Sequence, residues 1–186
     1  MFELRPFNCD IDSRLACRSK TNYHQLLHQS VLGLFDAARR RAAIEQVKRF
    51  ILGHMCCLFD LGDLPASQVR SRHYGGIRSV NINQICGSMS RTGDFDHHFH
   101  PLNDRLRDRW VSVAAARCQG AALPAVRLVQ VGGCYFVEDG HHRLSVAGAL
   151  GETAIDAEVM VWDVSGPLPW ERQAQQTGLQ PVLRPA

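Results

Sequence analysis

Val131-Gly132-Gly133-Cys134-Tyr135-Phe136-Val137-Glu138-Asp139-Gly140-His141-His142-Arg143-Leu144-Ser145-Val146-Ala147-Gly148-Ala149-Leu150 changes its hydrophobic rhythm twice, and those changes set the fold. Gly132-Gly133 is a turn signal between the aliphatic run Ala125 to Gln130 and the apolar run Cys134 to Val137, so the pair reads as a β-hairpin. His141 to Leu150 then carries apolar residues at helical spacing and stops at Gly151. Between strand and helix stand only polar residues and glycine, Glu138 to Arg143, more than a helix cap requires.

A strand that runs through Glu-Asp-Gly straight into a helix places backbone N–H groups and the positive end of the helix dipole at the strand's exit. Such a turn binds anions, and Gly140 lets a phosphate approach the backbone. Arg143, in the first helical turn, is placed to reach the same anion. Glu138 and Asp139 are carboxylates able to hold magnesium or accept a proton. His141 and His142 can bind metal, donate to phosphate or transfer protons. Neighbouring helical side chains diverge by about 100°, so the two imidazoles cannot both serve one atom, and His142 is the favoured phosphate partner. The plainer alternative is that Asp139 caps the helix and the histidines form a hydrogen-bonded surface patch.

Working outward, Ser79 to Ile85 alternates polar and apolar residues and predicts a strand. A polar loop, Gly87 to Asp94, follows it, then a helix from about Asn103 to Gln119 ended by Gly120. Ile155 to Trp162 alternates again. Upstream, Leu26, Leu27, Val31 and Leu34 precede Ile44, Val47, Ile51, Met55 and Leu58, with arginines between, which predicts two amphipathic helices closed by Gly62 and Pro65. From Ser165 onward Pro167, Pro169, Pro181 and Pro185 predict an extended tail. The expected organisation is a helical region over 1–75, an α/β (α+β) domain over 76–164 and a proline-containing tail over 165–186. That domain should be a small mixed sheet with flanking helices.

The composition, 45% hydrophobic and 21% charged, is that of a globular chain and excludes extended disorder. Only Lys20 and Lys48 are lysines, so the basicity is almost wholly guanidinium. Arg39-Arg40-Arg41, then Arg70, Arg72 and Arg78, then Arg105, Arg107 and Arg109 could face a polyanion, though solvated helix faces explain them more simply. Seven cysteines, at 9, 17, 56, 57, 86, 118 and 134, include no CxxC pair and suit a reducing compartment. No apolar run reaches membrane-spanning length and no signal peptide opens the chain, so a cytoplasmic protein is expected.

Other candidates compete with the central turn. Gly87, Ser88, Ser90, Arg91 and Gly93 could cradle a second phosphate, although a flexible loop accounts for them as well. His97, His98 and His100 beside Asp94 and Asp96 fit no standard ligand spacing and read as a locked loop, with Asp94 retained as a metal or proton-transfer candidate. Cys56-Cys57 and Trp110 read as packing residues.

At Gly87-Ser88 with Arg91, Asp94-Phe95-Asp96, Arg109-Trp110, Leu123-Pro124 and Asp139-Gly140-His141-His142-Arg143, the sequence resembles the ParB/sulfiredoxin superfamily, from about Gly76 to Val164. The resemblance implies nucleotide binding at a Gly-x-x-Arg turn. It assigns phosphate contacts to Arg91, Gly140 and Arg143, with Gly87, Ser88 and His142 beside them. His141 stands where sulfiredoxins carry their catalytic cysteine, so sulfinic acid reduction is not implied. The layout, with an N-terminal helical extension, resembles the plasmid-encoded oncogenic-suppression and fertility-inhibition proteins (Osa type). That likeness implies ATP (or CTP) hydrolysis and magnesium-dependent DNA cleavage. Glu138, Asp139 and Asp94 would be metal candidates, and Glu138, Asp139, His141, His142 and Arg143 the catalytic set. DNA, and a conjugation or type IV secretion component at the inner membrane, would be partners. Two alternatives stay open, a free-serine type small-molecule kinase and a non-enzymatic regulator switched by nucleotide.

Overall fold

The computed structural model describes residues 20–52 and 58–170. Three helices and six strands follow in chain order: α1 Lys20–Leu52, β1 Phe59–Asp60, β2 Val69–Asn81, β3 Ile85–Ser88, α2 Arg107–Cys118, β4 Val126–Val131, β5 Cys134–Asp139, α3 His141–Ala149 and β6 Ala154–Val164. The strands form one mixed sheet in the order β1-β3-β5-β4-β6-β2. β1, β3 and β5 run parallel, β4 returns antiparallel as the hairpin partner of β5, and β6 lies parallel to β4. β2 closes the far edge, antiparallel to β6. The expected α/β class, with a mixed sheet, flanking helices and a helical extension, is what the chain forms.

Alternation along the strands sends side chains to two cores. On the helical face Val80, Ile85, Val126, Leu128, Val137, Ala157 and Val159 meet Leu144 of α3 and Leu106 ahead of α2. On the opposite face Val129, Val131, Cys134 and Phe136 are covered by Leu61, Leu64, Leu168 and Trp170. A third core joins α1 to α2 and α3: Leu27, Val31 and Phe35 pack on Trp110, Val111, Ala114 and Val146. Trp110 is fully buried, and its indole N–H donates to Ser145 Oγ at 2.8 Å.

Several expectations need correction. The two predicted N-terminal helices are one helix of 33 residues, because no proline interrupts 20–52 and the Ser30 hydroxyl bonds back to Leu26 O at 2.9 Å instead of capping a new helix. Its buried stripe is Leu27, Val31, Phe35, Ala38 and Ala42, whereas Ile44, Val47 and Ile51 of the predicted second helix are exposed. Leu58 is buried in the sheet core rather than on a helix face. The division expected at 75/76 falls within β2, and Leu61 and Leu64 belong to the sheet's core. The strand predicted over Ser79 to Ile85 is broken at Asn81, whose side chain accepts the Asn83 N–H at 2.9 Å and turns the chain into β3. Gly87 and Ser88 lie on that strand, not in a loop. The tail is anchored at its start, since the Trp170 ring sits 4.7 Å from Phe136. Met55, Cys56-Cys57, Pro181 and Pro185 lie outside the described residues.

Candidate functional site

Parallel strands β3 and β5 deliver Ser88 and Asp139 to the same end of the sheet, where Met89 N–H donates to Val137 O at 2.9 Å. This is the strand end at which open α/β sheets form ligand crevices. After Asp139 the chain turns at Gly140, whose φ of 99° lies in the left-handed region. A Cβ there would stand 2.6 Å from Val126 Cγ1, so the position requires glycine on two counts. α3 begins at once, without a side-chain cap. Asp139 therefore does not cap the helix. Its carboxylate takes the Arg143 guanidinium at 2.7 Å instead, leaving the first-turn N–H groups uncapped by any side chain.

Ser88 is fully buried. Its Oγ accepts the N–H groups of Ser90 (3.3 Å) and Arg91 (3.0 Å) and lies 2.7 Å from His141 Nε2. With both lone pairs engaged, the hydroxyl proton points to Nε2, so His141 is neutral with its proton on Nδ1. Burial, and then the Arg91 charge, lower its pKa to about 4. His142 is also lowered to about 4, by burial and then by Arg91 and Arg109. Its Nδ1 is buried and without a hydrogen-bond partner. Phe95 separates the two rings, stacking on His141 at 5.9 Å and meeting His142 edge-on at 5.6 Å. Both imidazoles thus border one phenyl ring.

The other predicted residues separate into two groups. Arg91 is half-exposed and ion-paired with Asp94 at 3.7 Å, close enough to both histidines to depress them. Arg143 is a clamp: Nη1 donates to the carbonyls of Pro124 (2.6 Å) and Ala125 (2.8 Å), while Nη2 holds Asp139. Gly87 lacks a side chain for packing reasons, since a Cβ would meet Phe59 O and the Phe136 ring. Glu138 shares the strand face of Cys134 and Phe136, opposite the face that packs on α3, and pairs with Arg127 at 3.2 Å. Asp94 is ion-paired with Arg105 as well as Arg91. The three metal candidates therefore each face a guanidinium, and no cluster of three ligating side chains occurs among the described residues.

The histidine loop is locked by Asp96, whose Oδ1 accepts His98 N–H (2.9 Å) and His100 N–H (2.8 Å) and whose Oδ2 pairs with His100 Nδ1 at 2.9 Å. Burial works to raise the Asp96 pKa, but the His100 hydrogen bond and charge hold it below the usual carboxylate value. The arginine clusters are largely spent within the fold. Arg39 pairs with Asp104, Arg107 with Asp36, and Arg72 stacks 4.0 Å above Trp162. Sequence reasoning missed Phe95 as the divider of the histidines and Arg109 as a charge acting on His142. An aromatic between two aspartates was the only local signal. A separate open cleft of about 180 Å³ lies beside Arg143, lined also by Arg117, Leu123, Pro124, Glu152 and Asp156, and Ser88, Arg91 and His142 do not reach it.

Fold and site together define an α/β protein with a glycine-opened helix at the ends of parallel strands. No protein-family model matches the chain, and no curated protein matches it. Among solved structures, a sulfiredoxin from Arabidopsis thaliana is similar at 19% identity and a TM-score of 0.35, over 45% of this chain and 82% of that one. No helix among the described residues is long and apolar enough to cross a membrane.

Proposed function

We propose that this chain binds and hydrolyses a nucleoside triphosphate as a ParB/sulfiredoxin-type domain, holding the phosphates at the ends of β3 and β5. The observation that carries the reading is the Gly140 turn, which opens α3 in a left-handed conformation with no side-chain cap. Its N–H groups and helix dipole favour an anion. Arg91, exposed and paired with Asp94 at 3.7 Å, supplies a positive charge, and the Ser88 hydroxyl fixes both the Arg91 backbone and the His141 tautomer. Arg143 acts at one remove, holding Asp139 and the start of β4 so that the turn keeps its shape.

Both imidazoles are neutral near pH 7, so they serve as hydrogen-bonding groups rather than as fixed cations. His142 Nδ1 is buried without a partner, and an anionic phosphate beside the ring would raise its basicity. A resident magnesium does not fit the donor set, because Glu138 lies on the opposite sheet face and Asp139 and Asp94 are each matched to arginine. Metal-dependent DNA cleavage, and through it a block on conjugative transfer, thus lacks support from these side chains.

Titration of the full chain with ATP and with CTP, each in the presence of magnesium, tests this. Arg91→Ala should weaken binding roughly tenfold to a hundredfold, the worth of a charge-assisted hydrogen bond. Phosphate release is then followed with and without single-stranded DNA. Failure of the folded protein to bind either nucleotide would sink the proposal. Binding without turnover would leave a nucleotide switch, and transfer of phosphate to free serine would make the protein a kinase.

A further inference from the structure

Cys86 and Cys134 take no part in the phosphate site. They lie on β3 and β5, which are adjacent and parallel, with Ile85 opposite Tyr135 and Gly87 opposite Phe136. The register is irregular at Cys86. Both side chains pack on the sheet face covered by Leu61, Leu64 and Trp170. Cys86 S–H donates to Gln84 O at 3.4 Å, and the Cys134 thiol hydrogen-bonds to the Cys86 sulfur. Cys134 is buried, whereas Cys86 is half-buried and open to a small oxidant. A thiol pair in mutual contact across two strands has a second partner in place when the first is oxidised, which distinguishes it from a packing cysteine such as one alone on a helix.

We infer that Cys86 and Cys134 form an intramolecular disulfide when the protein meets a hydroperoxide. Cys86 ionises, its thiolate attacks the distal peroxide oxygen, the O–O bond breaks to give a sulfenic acid, and the leaving hydroxide or alkoxide takes up the proton released by the ionisation. Cys134 sulfur then attacks Cys86 sulfur. The S–S bond forms, the S–O bond breaks, and the departing hydroxide takes the Cys134 proton as water. The two sulfurs together lose two electrons and the peroxide gains them. The Cys134 hydrogen bond lowers the Cys86 pKa, which favours Cys86 as the attacking group. The bond pins β3 to β5 immediately before Ser88.

The test exposes the full chain to graded hydrogen peroxide, removes the peroxide, unfolds the chain in denaturant with N-ethylmaleimide present to block every remaining thiol, and maps unreduced peptides by mass. Expected are a linked Cys86–Cys134 peptide lacking two hydrogens, loss of two alkylatable thiols per chain, and full reversal by dithiothreitol. In Cys86→Ser, Cys134 should stay alkylatable at the same dose. Conversion of Cys86 to sulfinic acid while Cys134 remains alkylatable would overturn the inference, as would linkage of either residue to a different cysteine. The mapping is done on the wild-type chain, so it does not depend on a variant that folds.

Discussion

At Gly140 a single methyl group decides the turn, because the residue combines a left-handed backbone with the Val126 side chain lying where a Cβ would go. Gly140→Ala should cost at least about 2 kcal/mol, combining the left-handed penalty with a steric clash, and urea denaturation reads it directly. The histidines set a pH dependence whose sign follows from their neutrality. Their folded pKa of about 4 lies below the unfolded value near 6.5, so the unfolded chain takes up protons first as pH falls. Stability contributed by the neutral rings is complete above pH ~6.5, declines between ~6.5 and ~4, and is gone below that, with a ceiling of about 3.4 kcal/mol per ring. Urea midpoints measured at several values across that window check it, and a flat profile would mean that the rings are not held neutral. Gly140 was legible in the sequence because its signal is local, a glycine between a strand pattern and a helix pattern. The clamp role of Arg143 was not legible, since the carbonyls of Pro124 and Ala125 come from another strand's approach. Nor was the bond from Ser88 to His141, which joins two motifs that the sequence presents separately.

Among the elements, α1 joins the body through Leu27, Val31, Phe35, Ala38 and Ala42, and its later apolar residues face outward. Phe35→Ala should therefore cost about 3–5 kcal/mol through a cavity against Trp110, whereas Phe50→Ala, at a ring 90% exposed, should stay within about 0.5 kcal/mol. Paired thermal melts separate the two. The α1 continuity was hidden because the arginines of 39–41 look like a break, although arginine is a good helix former. β2 was hidden for a different reason. As an edge strand it exposes Arg70, Arg72, His73 and Tyr74, so the alternation that marks a half-buried strand is missing until Val80. The β4–β5 hairpin, α3 and β6 were legible because each carries its own turn signal or a regular buried period.

Across the whole molecule the sheet needs more chain than its motifs occupy. A fragment of residues 76–164 retains every motif of the proposed phosphate site but cuts β2 in mid-strand and removes Leu61, Leu64 and Trp170 from one core. It should fail to fold cooperatively, and circular dichroism with urea titration would show a broad or absent transition where residues 20–170 give a sharp one. Most pairings in this sheet are distant in the chain, with Asn81 set against Ala154 and Ser71 against Asp163, and among the described residues only the β4–β5 pairing is closed by a short turn. During synthesis β2 therefore emerges long before β6 and waits, for seconds at ordinary translation rates, as an unpaired strand displaying Tyr74 and Ile77. Such a nascent strand is a template for association with its neighbours on the same message. Arg70, Arg72 and Arg78, together with the register shift at Gly75-Gly76, suit a gatekeeper's part in that interval, so arginines that stack on and pair with the finished sheet also guard the chain while it is still being made.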